Sequence, residues 1–205
     1  FFGNALYTDD IDILLLISKI FEKLNLLDIE LTINTIGSDV DRKKYPQELA
    51  SYLNSHSEEL SDTQRNTLSK NPMRLLDSKD PKLKSIIASA PLISDFLNKE
   101  SQANFNIIKQ RLDRLKIPYI HDPKLVRGLD YYNDLVFEWK TNKLGSQDAV
   151  CAGGRYDNLS ETIGDKSVPS VGFAMGLDRI VELVDYESNV LIIGLAVISN
   201  SNDES

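Results

Sequence analysis

Residues 169–183, P-S-V-G-F-A-M-G-L-D-R-I-V-E-L, constrain the fold more than any other stretch of the chain. Ser170, Gly172, Ala174 and Gly176 are small, whereas Val171, Phe173 and Met175 are bulky and apolar. Side chains of a strand point alternately to opposite faces. The pattern therefore predicts a strand with one anchoring apolar face and one face close to bare backbone, on which a flat ring can lie. From Leu177 the spacing changes to Leu177, Ile180, Val181 and Val184, a helical period. Arg179 falls in the first turn of that helix, where the helix dipole disfavours a cation unless an anion is near. A buried strand followed by a surface helix with a solvated arginine fits the same residues.

Reading from the N-terminus, residues 11–24 carry a helical apolar pattern behind Thr8-Asp9-Asp10, a cap with acidic first-turn residues. Residues 29–36 alternate as a half-exposed strand, and Gly37-Ser38-Asp39 ends it and caps the next helix. Residues 39–116 then change character, with no glycine and no strand-like alternation. Helices are expected at 45–54, 61–70, 81–88 and 93–115, punctuated by Pro72, Pro81 and Pro91, with a short turn at 73–77. Strand signals resume at 117–121, 135–140 and 146–157, with a short helix at 158–163. The helical stretch reads as an insertion within a domain whose strands lie at 1–38 and 117–187; a plain helical layer on the sheet is the alternative. Residues 190–198 form an apolar strand pattern without a sequence partner behind it, so 188–205 is expected to open a further domain. The chain begins Phe1-Phe2-Gly3 and is expected to be part of a longer protein.

Composition narrows the chemistry. A net charge of −8 over 205 residues argues against a phosphate-binding surface spread over the whole molecule, though not against a local basic site. One cysteine, Cys151, excludes an internal disulfide and fits a reducing, cytoplasmic compartment. With two histidines, His56 and His121, no Cys/His zinc cluster is expected, and neither histidine sits in a catalytic context. No apolar run is long enough to span a membrane. Glycine-rich phosphate loops and dinucleotide fingerprints are absent.

Three polar constellations remain. Arg127-Gly128-Leu129-Asp130-Tyr131-Tyr132 places a planar cation, an acid and two phenols at the mouth of a strand. Gly153-Gly154-Arg155-Tyr156-Asp157 permits close approach to backbone. The third is the small-faced strand with Arg179. Together, three arginines, phenols and a bare strand suit an anionic ligand with a flat ring, such as a nucleotide; an Arg127–Asp130 pair holding a loop is the plainer reading of the first.

L-V-R-G-L-D-Y-Y (125–132), A-G-G-R-Y-D (152–157) and V-G-F-A-M-G-L-D-R (171–179) together resemble the histidyl-tRNA synthetase family of class II aminoacyl-tRNA synthetases. The last resembles class II motif 3, and the first the signature peptide of the histidyl enzymes. L-T-I-N-T-I-G-S (31–38) and N-P-M-R-L-L-D-S-K (71–79) resemble the bacterial form. The resemblance implies an α+β fold: part of the class II antiparallel-sheet catalytic domain with a helical insertion at 39–116 leaning toward the tRNA acceptor stem, and an anticodon-binding domain beginning at 188. It implies ATP-dependent activation of L-histidine and transfer to tRNA(His), with Mg²⁺ bound through the ATP phosphates, in a cytoplasmic homodimer. Arg127 would contact the α-phosphate and the histidine carboxylate. Tyr131, Tyr132, Gly153, Gly154 and Tyr156 would line the histidine pocket, Gly172, Ala174 and Gly176 would lie beside adenosine, and Arg179 would hold the γ-phosphate. Motifs 1 and 2 of the family, the dimer strand and a second ATP-binding arginine, find no match in these residues. The alternative within the same fold is the synthetase-like regulatory subunit of ATP phosphoribosyltransferase.

Overall fold

The computed structural model describes residues 1–185 except 77, 79, 146, 147 and 165; the expected strand at 190–198 and the segment 188–205 lie outside the described residues. The described elements run α1 (Thr8–Lys23), β1 (Glu30–Thr35), α2 (Asp39–Asn54), α3 (Asp62–Lys70), α4 (Pro81–Ala88), α5 (Lys99–Leu115), β2 (Tyr119–His121), β3 (Asn133–Lys140), β4 (Ala149–Arg155), α6 (Leu159–Ile163), β5 (Val171–Met175) and α7 (Leu177–Leu183). The strands form one α+β sheet in the order β2-β1-β3-β4-β5. Four of its strands are antiparallel neighbours, and β2 joins β1 in parallel at the edge. A parallel pair needs a long crossover, and the whole helical stretch α2–α5 supplies it.

Two helix boundaries differ from the sequence reading for physical reasons. Helix α2 starts at Asp39 and continues through Pro46, because Ser38 and Asp41 form a capping box that fixes its first turn. The expected helix 93–115 is broken: Ile93–Phe96 is a 3₁₀ turn, and α5 begins only after Asn98, whose side chain accepts the Ser101 N–H as a cap.

The sheet has two covered faces. Ile13, Leu14, Ile17 and Phe21 of α1 and Phe105, Ile108 and Leu112 of α5 pack with Leu31, Ile33, Phe137 and Trp139 on one face. Trp139 lies edge-on to Phe21, with ring centroids 5.3 Å apart. Thus α5, although within the helical stretch 39–116, shares the sheet's own core. The second cluster joins Tyr45, Leu49 and Leu53 of α2, Leu68 of α3 and Leu83, Ile86 and Ile87 of α4 to Val126, Tyr132 and Val136. Helices α2–α4 therefore gather beside the opposite face, over its β3 end. An irregularity between Asn133 and Val136 interrupts the β3–β4 register, and Asp134 there adopts a positive φ of 48°. Its N–H donates to the Gly37 carbonyl and its own carbonyl accepts from the Ile36 N–H, fixing the loop that enters β3.

Candidate active site

The register places Asn34 and Thr32 of β1, Val136 and Glu138 of β3, Gly154 and Ala152 of β4 and Gly172 and Ala174 of β5 in rows across one face of the sheet. Beside this face hangs the loop 127–132, and it brings Arg127, Tyr131 and Tyr132 to the sheet. Arg127 forms an ion pair with Glu138 through Nη1, and Glu138 is also paired with Lys140 at 2.8 Å. The expected partner, Asp130, instead accepts a hydrogen bond from the Asn71 side chain. The Arg127 guanidinium carbon lies 5.9 Å from the centre of the Tyr132 ring, within cation–π range. Its Nε is buried and has no acceptor among the described residues.

Tyr131, Tyr132 and Tyr156 form a three-ring cluster, with centroids separated by 4.6, 6.0 and 6.2 Å. Burial raises the Tyr132 hydroxyl to about 12, with Tyr131 adding to the effect, and burial also raises Tyr156. At neutral pH the Tyr132 and Tyr156 phenols are protonated, and a tyrosine hydroxyl can both donate and accept.

The glycines make room for these side chains. A Cβ on Gly154 would lie 2.9 Å from the Tyr132 ring and 2.5 Å from the Leu135 carbonyl oxygen. One on Gly172 would lie 2.5 Å from the Tyr156 hydroxyl. The face expected to be bare is thus covered by Tyr156 at Gly172, while Ala174 and Gly176 are exposed. Gly153 belongs to the opposite side, where a Cβ would lie 2.2 Å from the Gly172 carbonyl oxygen and 2.7 Å from the Phe137 ring.

Arg155 corrects the reading that groups three arginines around an anion. Its guanidinium is 2% exposed and points away from this face, to Asp10 of α1 at 2.7 Å and to Asp157 at 3.1 Å. Burial pushes the Asp10 carboxyl up to about 6 against the pull of Arg155, leaving it ionised at neutral pH. Asp10 therefore serves as a counter-ion in the core besides being an acidic first-turn residue. Arg179 stays on the site side and donates to the Ala149 carbonyl.

A cleft of about 430 Å³ opens between the helical stretch and the sheet, lined by Lys84, Lys124, Glu138, Lys140, Ala149 and Arg179 among others. The tyrosine cluster stands outside this cleft and is linked to it through Glu138, which contacts Arg127. Lys84, Lys124, Lys140 and Arg179 line the open cleft beside three carboxylates, Asp122, Glu138 and Asp148, and these cations suit an anionic group next to a small polar ring. Glu138 and Lys140, the residues that join the two halves, were not among the expected site residues; their alternation with Phe137 and Trp139 is the signal that puts them on the site face.

The histidyl-tRNA synthetase family model matches residues 1–180. A histidine–tRNA ligase of Marinomonas sp. (strain MWYL1) is 46% identical over 185 residues, covering 90% of this chain and 44% of the relative. One of Hydrogenovibrio crunogenus is 43% identical over 183 residues, covering 89% and 43%. The chain thus spans less than half the length of the curated relatives it matches. Apo histidyl-tRNA synthetase of S. aureus superposes with a TM-score of 0.71 at 32% identity, over 89% of this chain and 44% of that one. At the level of fold alone, a Bacillus halodurans protein described as an ATP phosphoribosyltransferase regulatory subunit/histidyl-tRNA synthetase matches with a TM-score of 0.58 at 20% identity, over 90% of this chain and 52% of that one. The sheet with its flanking helices is that of the class II synthetase catalytic domain, and the chain belongs to the histidyl-tRNA synthetase family.

Proposed function

We propose that this chain carries the histidine-binding and motif 3 part of a histidine–tRNA ligase, which activates L-histidine with ATP to histidyl-adenylate and transfers it to tRNA(His). The observation that carries the reading is Arg127, held at the junction between a three-tyrosine cluster and a cleft of cations. In this reading Tyr131, Tyr132 and Tyr156 take the imidazole and amino groups of histidine by hydrogen bonding, while Gly154 and Gly172 keep the sheet low enough to admit the Tyr132 and Tyr156 rings; Gly153, expected beside them, faces the other side of the sheet. The histidine carboxylate attacks the α-phosphorus in line, and pyrophosphate leaves. Negative charge grows on the α-phosphate oxygens during attack. A guanidinium aimed there stabilises the transition state more than the ground state. Arg127 is prepared for this, because Glu138 fixes it from one side through Nη1. Arg179 takes the γ-phosphate, and the exposed Ala174 and Gly176, with Gly172, border the adenosine. Mg²⁺ is held through the ATP phosphates. The helical stretch is the part of the chain that faces the tRNA acceptor stem, and the complete protein is a cytoplasmic homodimer. Among the described residues, no helix is long and apolar enough to cross a membrane.

The test is histidine-dependent ATP–pyrophosphate exchange by the full-length protein, run against the other amino acids. Exchange with histidine alone is expected. Arg127→Ala is expected to slow adenylate formation about 10²-fold or more while both substrates still bind, and Arg127→Lys to recover little. A normal rate in Arg127→Ala refutes the role of Arg127. Absence of exchange, with stimulation of an ATP phosphoribosyltransferase instead, replaces this reading by the regulatory one.

A further inference from the structure

The loop 127–132 lacks main-chain support. Among the described residues, no backbone–backbone hydrogen bond joins it to the rest of the fold. Gly128, Leu129 and Asp130 are exposed. What holds the loop is a set of side chains, and two of these come from the helical stretch. Arg42, in the first turn of α2, donates through Nη1 to the Tyr132 carbonyl and through Nη2 to the Asp130 carbonyl. Asn71, which follows α3, donates to the Asp130 carboxylate.

Arg42 holds the loop at a cost in desolvation. Its side chain is only 20% exposed, burial pushes its pKa down, and its Nε is buried with no acceptor among the described residues. Its carboxylate neighbour, Asp39, stands 3.9 Å away and is mostly exposed. The guanidinium therefore directs its charge to two carbonyls of one loop. Its origin is also fixed. The adjacent Asp41 accepts from the Ser38 N–H at 3.0 Å, the Ser101 hydroxyl at 2.8 Å and the Asn98 N–H at 2.9 Å, tying the start of α2 to the start of α5. A planar fork suits two carbonyls two residues apart, whereas an ammonium is a point charge without that fixed geometry.

We propose that Arg42 is a positioning residue: by clamping the Asp130 and Tyr132 carbonyls it sets Arg127, Tyr131 and Tyr132 for histidine binding. The proposal rests on the histidine-activation reading above. It assigns to the base of the helical stretch a role in amino-acid recognition, in addition to any contact with RNA.

Two readouts on the full-length protein test it, one independent of activity. Trypsin cleavage at Arg127–Gly128, followed by mass spectrometry, reports on the freedom of the loop. Arg42→Ala is expected to speed that cut about tenfold or more, as charge-assisted hydrogen bonds are lost. In pyrophosphate exchange, the KM for histidine is expected to rise about tenfold, while the KM for ATP moves less than about twofold. Arg42→Lys, which keeps the charge and one contact, is expected to fall between, and it carries both tests if the alanine variant does not fold. Unchanged cleavage, an unchanged KM for histidine, or equal changes in both KM values would overturn the proposal. A parent protein without histidine-dependent exchange would instead sink the functional reading, and the cleavage rate would still decide whether Arg42 holds the loop.

Discussion

Removing the Asp10 carboxylate isolates the buried ion pair on the far side of the sheet. Arg155 donates from Nε to both Asp10 oxygens at 3.1 and 3.2 Å and from Nη2 to Asp10 at 2.7 Å. It also donates to the carbonyls of Asn4 and Leu6 and to Asp157. Asp10→Ala leaves Nε without an acceptor and takes the closest counter-ion from a guanidinium that is 2% exposed. Breaking a buried pair by deleting one partner costs about 3–5 kcal/mol. Asp157 remains at 3.1 Å and its side chain is 24% exposed, so the low end applies. A loss of about 3 kcal/mol corresponds to a fall in Tm of about 6–12 °C in a chain of this size. Replacing both members, Asp10→Leu with Arg155→Met, removes the stranded charge along with its partner and is expected to cost less than the sum of the two single changes by at least about 1 kcal/mol. The assay is a double-mutant cycle in urea unfolding at pH 7. A cost below about 1 kcal/mol for Asp10→Ala, or additive single changes, would refute the account.

Two further outcomes separate fold from site. Gly153→Ala puts a methyl group against the Gly172 carbonyl and the Phe173 Cα, which are backbone and cannot step aside, so a loss of about 2–3 kcal/mol is expected in thermal unfolding. Gly172→Ala meets the Tyr156 side chain, its hydroxyl at 2.5 Å and two ring carbons at 3.3 Å, and that side chain can turn; it should raise the KM for histidine while costing less than about 1 kcal/mol, and the reverse ranking of the two glycines would contradict this picture of the site. Burial alone would raise the Asp41 carboxyl, but hydrogen bonds from Ser101, Asn98 and Ser38 outweigh this and hold it below the ordinary aspartate value. Its stabilisation is then present above about pH 4 and is lost as the pH falls through its native pKa, so the stability difference between the parent and Asp41→Asn should shrink on acidification, and a difference that grows toward acid would be inconsistent with that shift.

Local pattern was legible where a local rule decides the structure. The alternation at 170–176 became β5, and the helical spacing after it became α7. Pro81 marks the start of α4, with Asp80 as its cap. One boundary missed was that of α2: Gly37-Ser38-Asp39 reads as a cap, yet the helix was expected only from residue 45, whereas it begins at Asp39 directly behind that cap. Pairings across the chain were not legible. Nothing in G-G-R-Y-D tells that its arginine finds Asp10, 145 residues earlier, or that Arg127 passes over Asp130 for Glu138. Such partners depend on which face of the sheet a residue occupies, and that is set by the register. Of the site residues drawn from family resemblance, Tyr131, Tyr132 and Tyr156 cluster beside Arg127, Arg179 lies in the neighbouring cleft and Gly153 faces the other side of the sheet; the clamp from Arg42 has no sequence signature, because its acceptors are main-chain carbonyls that every residue possesses.

Trp139 is the only tryptophan in these 205 residues, and it lies on the opposite side of β3 from Glu138. It is 5% exposed, packs against Phe21, and its indole N–H has no acceptor among the described residues. Within this chain, tryptophan emission is therefore expected to be blue-shifted and to report the closure of α1 on the sheet. Excitation beyond the tyrosine band selects this one indole in the chain, so loss of the core can be followed without interference from the tyrosines at the site.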